Sequence, residues 1–472
     1  MTRTRTTRRV LAAAKRSSLP LCVALAMSAC VLKPPPSSDD LLKETLPSTP
    51  LPGEWTAQGA KPGDVEDSWL GTFGDAQLDA LVAEAIEHNA DLRAAAARVE
   101  QAEGYVKVAG GELYPTVSAL GKAGGKMSGD SSGLEGYLVS ASWELDLWGR
   151  VRYGKRSATE QYYSVQSDFN FARQSLAALV AKSWFLLTEA SLQREILLEM
   201  VDSASKLTGL AEQRYRTGIG SELDVASARV NEQTYRDSLR QVELSREQAQ
   251  RALEVLVGRY PAAQVVPPSQ LDNFPADVPA GLPSQLLERR PDLIAAQNRV
   301  AAAFSLYKES QAARLPKISL TGSASHFTSD FFVLQDRDNP VWSAGGSVFA
   351  PLFQGGALKA QSEIRRAEQK QAMAQYVNTA LKAFSDVENA LSSEFALQER
   401  EKILTSAVTD AKQALSLSEI RYRVGSGDLR GVEQQQLAYH TSRMTLLRVQ
   451  TERRVQRVNL HLALGGTFER PT

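Results

Sequence analysis

Apolar and polar residues alternate with a period of two in four short stretches of this chain. Almost everywhere else the period lies between three and four. In residues 137–147 the odd positions carry Tyr137, Val139, Ala141, Trp143, Leu145 and Leu147, and Ser140, Ser142, Glu144 and Asp146 fill even ones. That pattern predicts a strand with one apolar and one wet face. Residues 115–121 set Val117 and Ala119 against Thr116 and Ser118. Later, Ile318, Leu320 and Ala324 alternate with Ser319, Thr321, Ser323 and Ser325. Trp342, Ala344, Val348 and Leu352 alternate with Ser343, Gly345 and Ser347. Loops rich in Gly, Ser and Asp, 124–136 and 328–340, join the strands into two hairpins.

The longer period predicts helices. Val165, Phe169, Ala172, Leu176, Leu179 and Ser183 are spaced four and three residues apart in turn, and so are Met373, Val377, Ala380, Phe384, Val387 and Leu391. Such spacing is a helix-packing seam. Residues 149–217 and 355–424 contain no proline, and as helices each would be about 100 Å long. Both stop at a Gly-x-Gly turn, Gly218 to Gly220 and Gly425 to Gly427. Ser221 and Asp428 then stand as caps of returning helices. The returns, 221–258 and 428–464, would each run about 55 Å, and 284–313 about 45 Å more after a proline-rich break at 260–283. The descent and the climb match, so the chain reaches its second hairpin at the level of the first.

The chain is in fact written twice. Ala90-Asp91-Leu92-Arg93-Ala94-Ala95 matches Pro291-Asp292-Leu293-Ile294-Ala295-Ala296, and Pro115 and Gly121 match Pro316 and Gly322 at the same offset of 201 residues. Arg214-Tyr215-Arg216-Thr217-Gly218-Ile219-Gly220 matches Arg421-Tyr422-Arg423-Val424-Gly425-Ser426-Gly427 at an offset of 207, which also joins Gly258 to Gly465. Matches this frequent mean a duplication whose copies build the same unit. The expected organisation is a signal peptide (1–29), an N-terminal linker (30–74), repeat 1 (75–258, hairpin 114–148), an equatorial linker (259–283), repeat 2 (284–465, hairpin 316–354) and a tail (466–472).

Segments of about ten residues cross a bilayer as tilted strands. Four strands cannot close, and an open edge in lipid leaves backbone groups unsatisfied at several kcal/mol each. Two chains would supply eight strands and an interior filled by side chains; three would supply twelve and a lumen. A conducting function selects three. The expected fold is mainly α with membrane β: a trimeric twelve-stranded barrel, four strands per protomer, continued by a helical coiled-coil barrel.

Composition narrows the function. Lys plus Arg and Asp plus Glu are each 54, a net charge of zero, which removes the electrostatic case for nucleic acid. The four histidines, His88, His326, His440 and His461, are scattered, and the two cysteines, Cys22 and Cys30, lie near the start. No HExxH, phosphate loop or Ser/His/Asp set is present. We therefore expect no enzyme, no cofactor and no metal site. A purely structural coiled-coil lipoprotein leaves the strands unexplained, and a free-standing porin needs eight or more strands from one chain. At the N-terminus, Arg3, Arg5, Arg8, Arg9, Lys15 and Arg16 precede an apolar run at 19–29, an export signal too short to span a bilayer. It ends in Met27-Ser28-Ala29-Cys30, which resembles a lipobox and implies acylation of Cys30; an ordinary cleaved signal is the alternative.

Several segments together resemble the TolC-like outer-membrane factors, in particular the OprM- and NodT-type efflux lipoproteins: Trp143-Glu144-Leu145-Asp146-Leu147-Trp148-Gly149-Arg150, Glu288-Arg289-Arg290-Pro291-Asp292-Leu293, Pro351-Leu352-Phe353-Gln354-Gly355-Gly356, and the paired Arg-Tyr-Arg-x-Gly turns. The resemblance implies the exit duct of a tripartite efflux pump, a homotrimer in outer-membrane lipid. Its partners would be a periplasmic adaptor and an inner-membrane RND-type transporter. A type I secretion or metal-efflux duct is the alternative. It implies adaptor docking at the tips (Tyr215, Gly218, Gly220, Tyr422, Gly425, Gly427) and a periplasmic gate. Asp224 matches the family carboxylate of the first repeat. The second repeat has Gln434 at the corresponding position and Gly427 where TolC has an arginine, with Asp428, Arg430 and Glu433 nearby as substitutes. Asp224 also fits a plain helix-start carboxylate favoured by the helix dipole.

Overall fold

The computed structural model describes residues 32–37, 40, 41, 43, 52–65, 67–122, 134–271, 274–329 and 341–469. The export signal and Cys30 lie outside them. In chain order the elements are α1 (Ala76–His88), α2 (Ala90–Gly111), β1 (Thr116–Lys122), β2 (Leu134–Leu145), α3 (Arg150–Arg216), α4 (Glu222–Leu256), α5 (Pro291–Ala312), β3 (Lys317–Ser329), β4 (Val341–Phe349), α6 (Ala357–Arg423) and α7 (Leu429–Ala463). A 3-10 turn, Trp69–Phe73, precedes α1, and a single helical turn, Leu286–Arg289, precedes α5.

Contacts divide the chain into two compact units that cut across the repeats. One comprises residues 1–48, 98–166 and 295–378; the other comprises 49–97, 167–294 and 379–472. Each repeat contributes to both.

The first unit holds one antiparallel sheet in the order β1-β2-β3-β4. Its register stacks like with like. Ser118 faces Ser140, Ser140 faces Ser323, and Ser323 faces Ser343, giving a row of four serines. Their hydroxyls pair across the outer strands, Ser118 with Ser140 at 2.8 Å and Ser323 with Ser343 at 2.7 Å. The neighbouring row, Ala119, Val139, Ala324 and Trp342, points to the opposite face. The sheet follows the alternation of period two and differs from it in two places. β2 begins at Leu134 and β3 runs to Ser329, so pairing extends into what the sequence marked as loop. β4 ends at Phe349, short of Leu352. The apolar face is left bare: Val117 and Val348 are each 69% exposed and Trp342 77%. A sheet of this composition needs something apolar against it.

The second unit is helical. Its main core gathers Trp69, Phe73, Leu78, Leu81, Val82, Trp184, Leu187, Leu253 and Val458 from the 3-10 turn, α1, α3, α4 and α7. The seam of the second repeat is buried as expected at Met373, Val377, Ala380, Val387 and Leu391. In the first repeat Leu176 is buried but Leu179 is 47% exposed, and the inward stripe runs instead through Ala177, Val180, Ala181, Trp184 and Leu187. Trp69, Phe73 and α1 form one core with that stripe, which sets the face that α3 turns inward.

The climbs at 75–112 and 284–313 are each broken at one place, and the repeat explains where. Asn89 and Arg290, one residue before the matched Ala90 and Pro291, both have extended backbone. Proline disfavours helix in the residue before it, and Asn89 caps α2 by accepting from the Leu92 N–H at 3.0 Å. Each break residue then reaches the end of a returning helix. Asn89 Nδ2 donates to the Leu256 carbonyl at 2.9 Å, and an Arg290 Nη1 donates to the Ala463 carbonyl at 3.3 Å. A Cβ on Gly258 would stand 2.9 Å from the His88 carbonyl oxygen, and one on Gly465 would stand 3.1 Å from the Arg289 carbonyl carbon. Both glycines are left-handed, so both repeats close the same joint by the same device.

His461, on the last turn of α7, is 2% exposed and stacks on Trp69 with ring centroids 5.8 Å apart. Neither ring nitrogen has a hydrogen-bond partner. Burial, with Arg457 adding to it, lowers its pKa from 6.5 to about 3. Between those values the unfolded chain binds a proton that the folded chain excludes, so acid weakens this contact. We expect stability to fall as pH drops below 6.5, by about 1.4 kcal/mol per pH unit from this one group. Thermal unfolding of purified protein at pH 7 and pH 5 should show a smaller loss in His461→Phe than in wild type.

Candidate functional site

The two long helices end in the same way. Ile219 N–H reaches the Arg214 carbonyl at 2.9 Å and Gly218 N–H reaches Tyr215 at 3.0 Å; Ser426 reaches Arg421 at 2.9 Å and Gly425 reaches Tyr422 at 3.2 Å. These are Schellman caps, whose C′ residue is left-handed. Gly218 (φ +77°) and Gly425 (φ +81°) occupy that position. Gly220 and Gly427 serve a different need, since a Cβ there would stand 2.9 Å from the Tyr215 nitrogen and 3.1 Å from the Arg421 Cβ. Gly218 and Gly425 are thus fixed by backbone conformation and Gly220 by close approach, and a Cβ at Gly427 would be tight.

The returning helices start as the sequence indicated. Ser221 caps α4 by accepting from the Asp224 N–H at 3.1 Å, and the Asp224 carboxylate accepts in return from the Ser221 N–H at 3.4 Å. This is a capping box. Asp428 caps α7 through the Gly431 N–H at 2.8 Å.

The two turns pack together and are not equivalent. Tyr422 is 4% exposed and shares a small core with Ala211, Val225, Ala228, Leu429 and Val432. The Arg214 guanidinium lies 4.7 Å from the centre of its ring and donates to its carbonyl at 3.0 Å. Tyr215, the matching residue of the first turn, is 48% exposed, beside Ile219 at 72%. Of the sequence-predicted tip tyrosines, one is a pin between turns and the other is surface.

Around the pin sit the remaining gate candidates. Burial raises the Glu433 carboxyl; a hydrogen bond from Asn231 and the charge of Arg430 oppose this, and Asp224 adds to it. Its Oε1 is buried without a hydrogen-bond partner. Burial also raises the phenols of Tyr422 and Tyr235, Glu433 contributing to both and Arg214 opposing it at Tyr422. Glu433 therefore feels both Asp224 and Arg430, and burial disfavours its charged form. Gln434, one residue on, is exposed. Sequence reading missed Arg214. It stood inside a quoted motif, but only the fold reveals that it reaches across to the second repeat.

A bare apolar sheet face, paired serines on the other face, and helices of 67 residues ending in matched glycine turns define a channel-type membrane protein. The chain belongs to the outer membrane efflux protein family, whose model matches residues 81–259 and 282–466. It is 29% identical over 465 residues to the cation efflux system protein CusC of Escherichia coli O6:H1, covering 96% of this chain and 98% of that one. It is also 29% identical to the pyoverdine export outer membrane protein OpmQ of Pseudomonas aeruginosa, covering 94% and 95%. Among solved structures, the outer-membrane channel OprN matches with a TM-score of 0.80 at 26% identity over 89% of this chain and 98% of that chain. The open state of the Neisseria gonorrhoeae MtrE channel matches with a TM-score of 0.78 at 27% identity over 90% and 98%. The protein is an outer-membrane efflux channel.

Proposed function

We propose that three copies close into a twelve-stranded barrel that passes small molecules from the periplasm to the outside, as the exit duct of a tripartite pump. The observation that carries this reading is the sheet, which among the described residues has unpaired edges at β1 and β4 and an exposed apolar face. In lipid those edges must pair with other chains. The serine face then lines the lumen, and Val139, Trp342 and Val348 meet lipid. Val139→Arg or Val348→Arg should cost about 2–4 kcal/mol and reduce assembled trimer, whereas Ser140→Arg should assemble and change conductance. Equal behaviour of the two classes on native gels would contradict the assignment.

The lipid anchor is Cys30. Supporting this, Lys33 N–H donates to the Tyr153 hydroxyl at 3.0 Å and an Arg156 Nη1 donates to the Lys33 carbonyl at 3.2 Å, so the chain just past Cys30 is held on the first turns of α3, directly after β2. Cys30→Ser should abolish labelling by palmitate while trimers persist; an unlabelled wild type would remove the anchor.

The tips dock a periplasmic adaptor linked to an inner-membrane RND-type transporter, and exposed Tyr215 and Ile219 offer the apolar contact. Relatives named for cation efflux and for pyoverdine export match nearly the whole chain at the same 29% identity, which fits a duct whose cargo is chosen by the transporter. At the gate, Asp224 acts with Arg430 and Glu433, and threefold symmetry would set its copies around the axis. Asp224→Ala should raise resting conductance in planar bilayers and admit vancomycin to cells. Ser221→Ala breaks the same capping box, at about 1 kcal/mol, yet keeps the carboxylate. If it opens the channel as far as Asp224→Ala does, helix fraying explains both and the gate role falls.

A further inference from the structure

The N-terminal strap, residues 52–65, is fastened to one short stretch of α6 by side chains that the channel function has not yet used. The Glu388 carboxylate accepts three hydrogen bonds from it: from the Thr56 N–H and hydroxyl, both at 2.9 Å to Oε1, and from the Ala57 N–H at 2.7 Å to Oε2. Trp55 packs on Phe384 with centroids 6.4 Å apart and donates from Nε1 to the Ala280 carbonyl at 3.0 Å. Gly59, at φ +93°, lies so close to α6 that a Cβ would stand 3.3 Å from that of Phe395. The strap is itself tied to the equatorial linker, with the Ala280 N–H on the Lys61 carbonyl and the Gly281 N–H on the Gly63 carbonyl, both at 3.0 Å.

The same stretch of α6 is held from its other sides. Arg290, at the joint, reaches Asp386 at 3.3 Å, and Arg457 of α7, fully buried, pairs with Glu394. Beyond Leu397 the picture reverses. From residue 398 to 421, α6 buries no side chain of its own. Over the matching stretch of α3, Ile196, Leu197, Met200, Ala204 and Ala211 are buried. Between Leu397 and the Tyr422 pin, α6 is joined to α7 mainly by polar pairs such as Glu401 with Arg453 at 2.9 Å, so this arm is the part least fixed by packing.

We propose that Glu388 is a positioning residue for opening: by pinning the strap it makes residues 384–395 of α6 a fulcrum, and the strap's grip favours the closed arrangement of the tips. The inference rests on the reading that the tips are the gate. A contact shifts such an equilibrium only if it differs between the two states, so loosening the strap must release the tip-ward arm of α6. The strap also runs from the Cys30 side of the chain, which makes it the covalent link between anchor and fulcrum.

The test compares full-length trimers in planar bilayers, with thermal midpoints measured alongside. Glu388→Ala should raise the resting open fraction about tenfold, the shift expected when one charge-assisted hydrogen bond's worth of preference for the closed state is lost. Glu388→Gln, which keeps an acceptor for Thr56 and loses the one for Ala57, should fall between it and wild type. Thr56→Val with Ala57→Pro removes two donors from the strap without touching α6, and should reproduce the opening even if Glu388→Ala fails to assemble. If the strap-side variant lowers the thermal midpoint but leaves conductance at the wild-type level, the strap is a staple and the proposal is overturned. Asp224→Ala in the same series reports separately on the gate, so an effect there with none at the strap sinks only this inference.

Discussion

Backbone hydrogen bonding at the edges of the sheet governs the rest of this protein. Among the described residues, β1 and β4 are the two edges of the sheet, each presenting a row of amide and carbonyl groups, and the apolar face is exposed at Val117, Trp342 and Val348. Water could satisfy those groups, but lipid cannot, and the penalty per orphaned group runs to several kcal/mol. In the proposed trimer, closure by copies of the same chain satisfies edges and face together. In that arrangement the wet face, with its stacked serines, lines the inside of the barrel.

Duplication supplies the means, and the two copies are not identical. Both repeats end their long helices in left-handed glycines, and in both the break residue of the climb donates to a carbonyl at the end of the returning helix. The copies diverge at the tips and at the joints. The first turn sends Arg214 onto Tyr422, while the second leaves Tyr215 exposed. The neutral Asn89 closes one joint; the other is closed by Arg290, which is also paired with Asp292 and Asp386. A symmetric pair of hairpins would have two equivalent tips. This chain has one tip that holds and one that offers a surface.

Much of this was legible in the residues, because strands, glycine stops and helix caps are local chemistry. Alternation at 137–147 fixed which side of β2 is apolar, and register follows from that alternation once hairpins are paired. Ser221 and Asp428 were readable as caps because short polar side chains before a periodic run have few other uses. What stayed hidden depends on distant partners. Leu179 fitted the seam by spacing, but α3 turns inward the stripe through Ala177 and Trp184, which shares a core with Trp69 and α1. Nothing near Glu388 in the sequence marks it, since its three donors lie more than three hundred residues away in the strap. Arg214 was in plain view within a motif, yet a cation over a ring in the other repeat has no sequence period.

The central claim is that β1 of one copy pairs with β4 of the next. In a single chain these strands stand at opposite edges of the sheet, about 14 Å apart across three strand spacings, beyond the reach of a disulfide. Cysteines placed on both strands, for instance Ser118→Cys with Ser343→Cys and one-residue shifts of each, can therefore be oxidised together only between chains. The account predicts, for at least one register, a ladder on denaturing gels that stops at three chain masses and collapses on reduction. A ladder ending at two, or no cross-link in any register with both cysteines reactive, would contradict it.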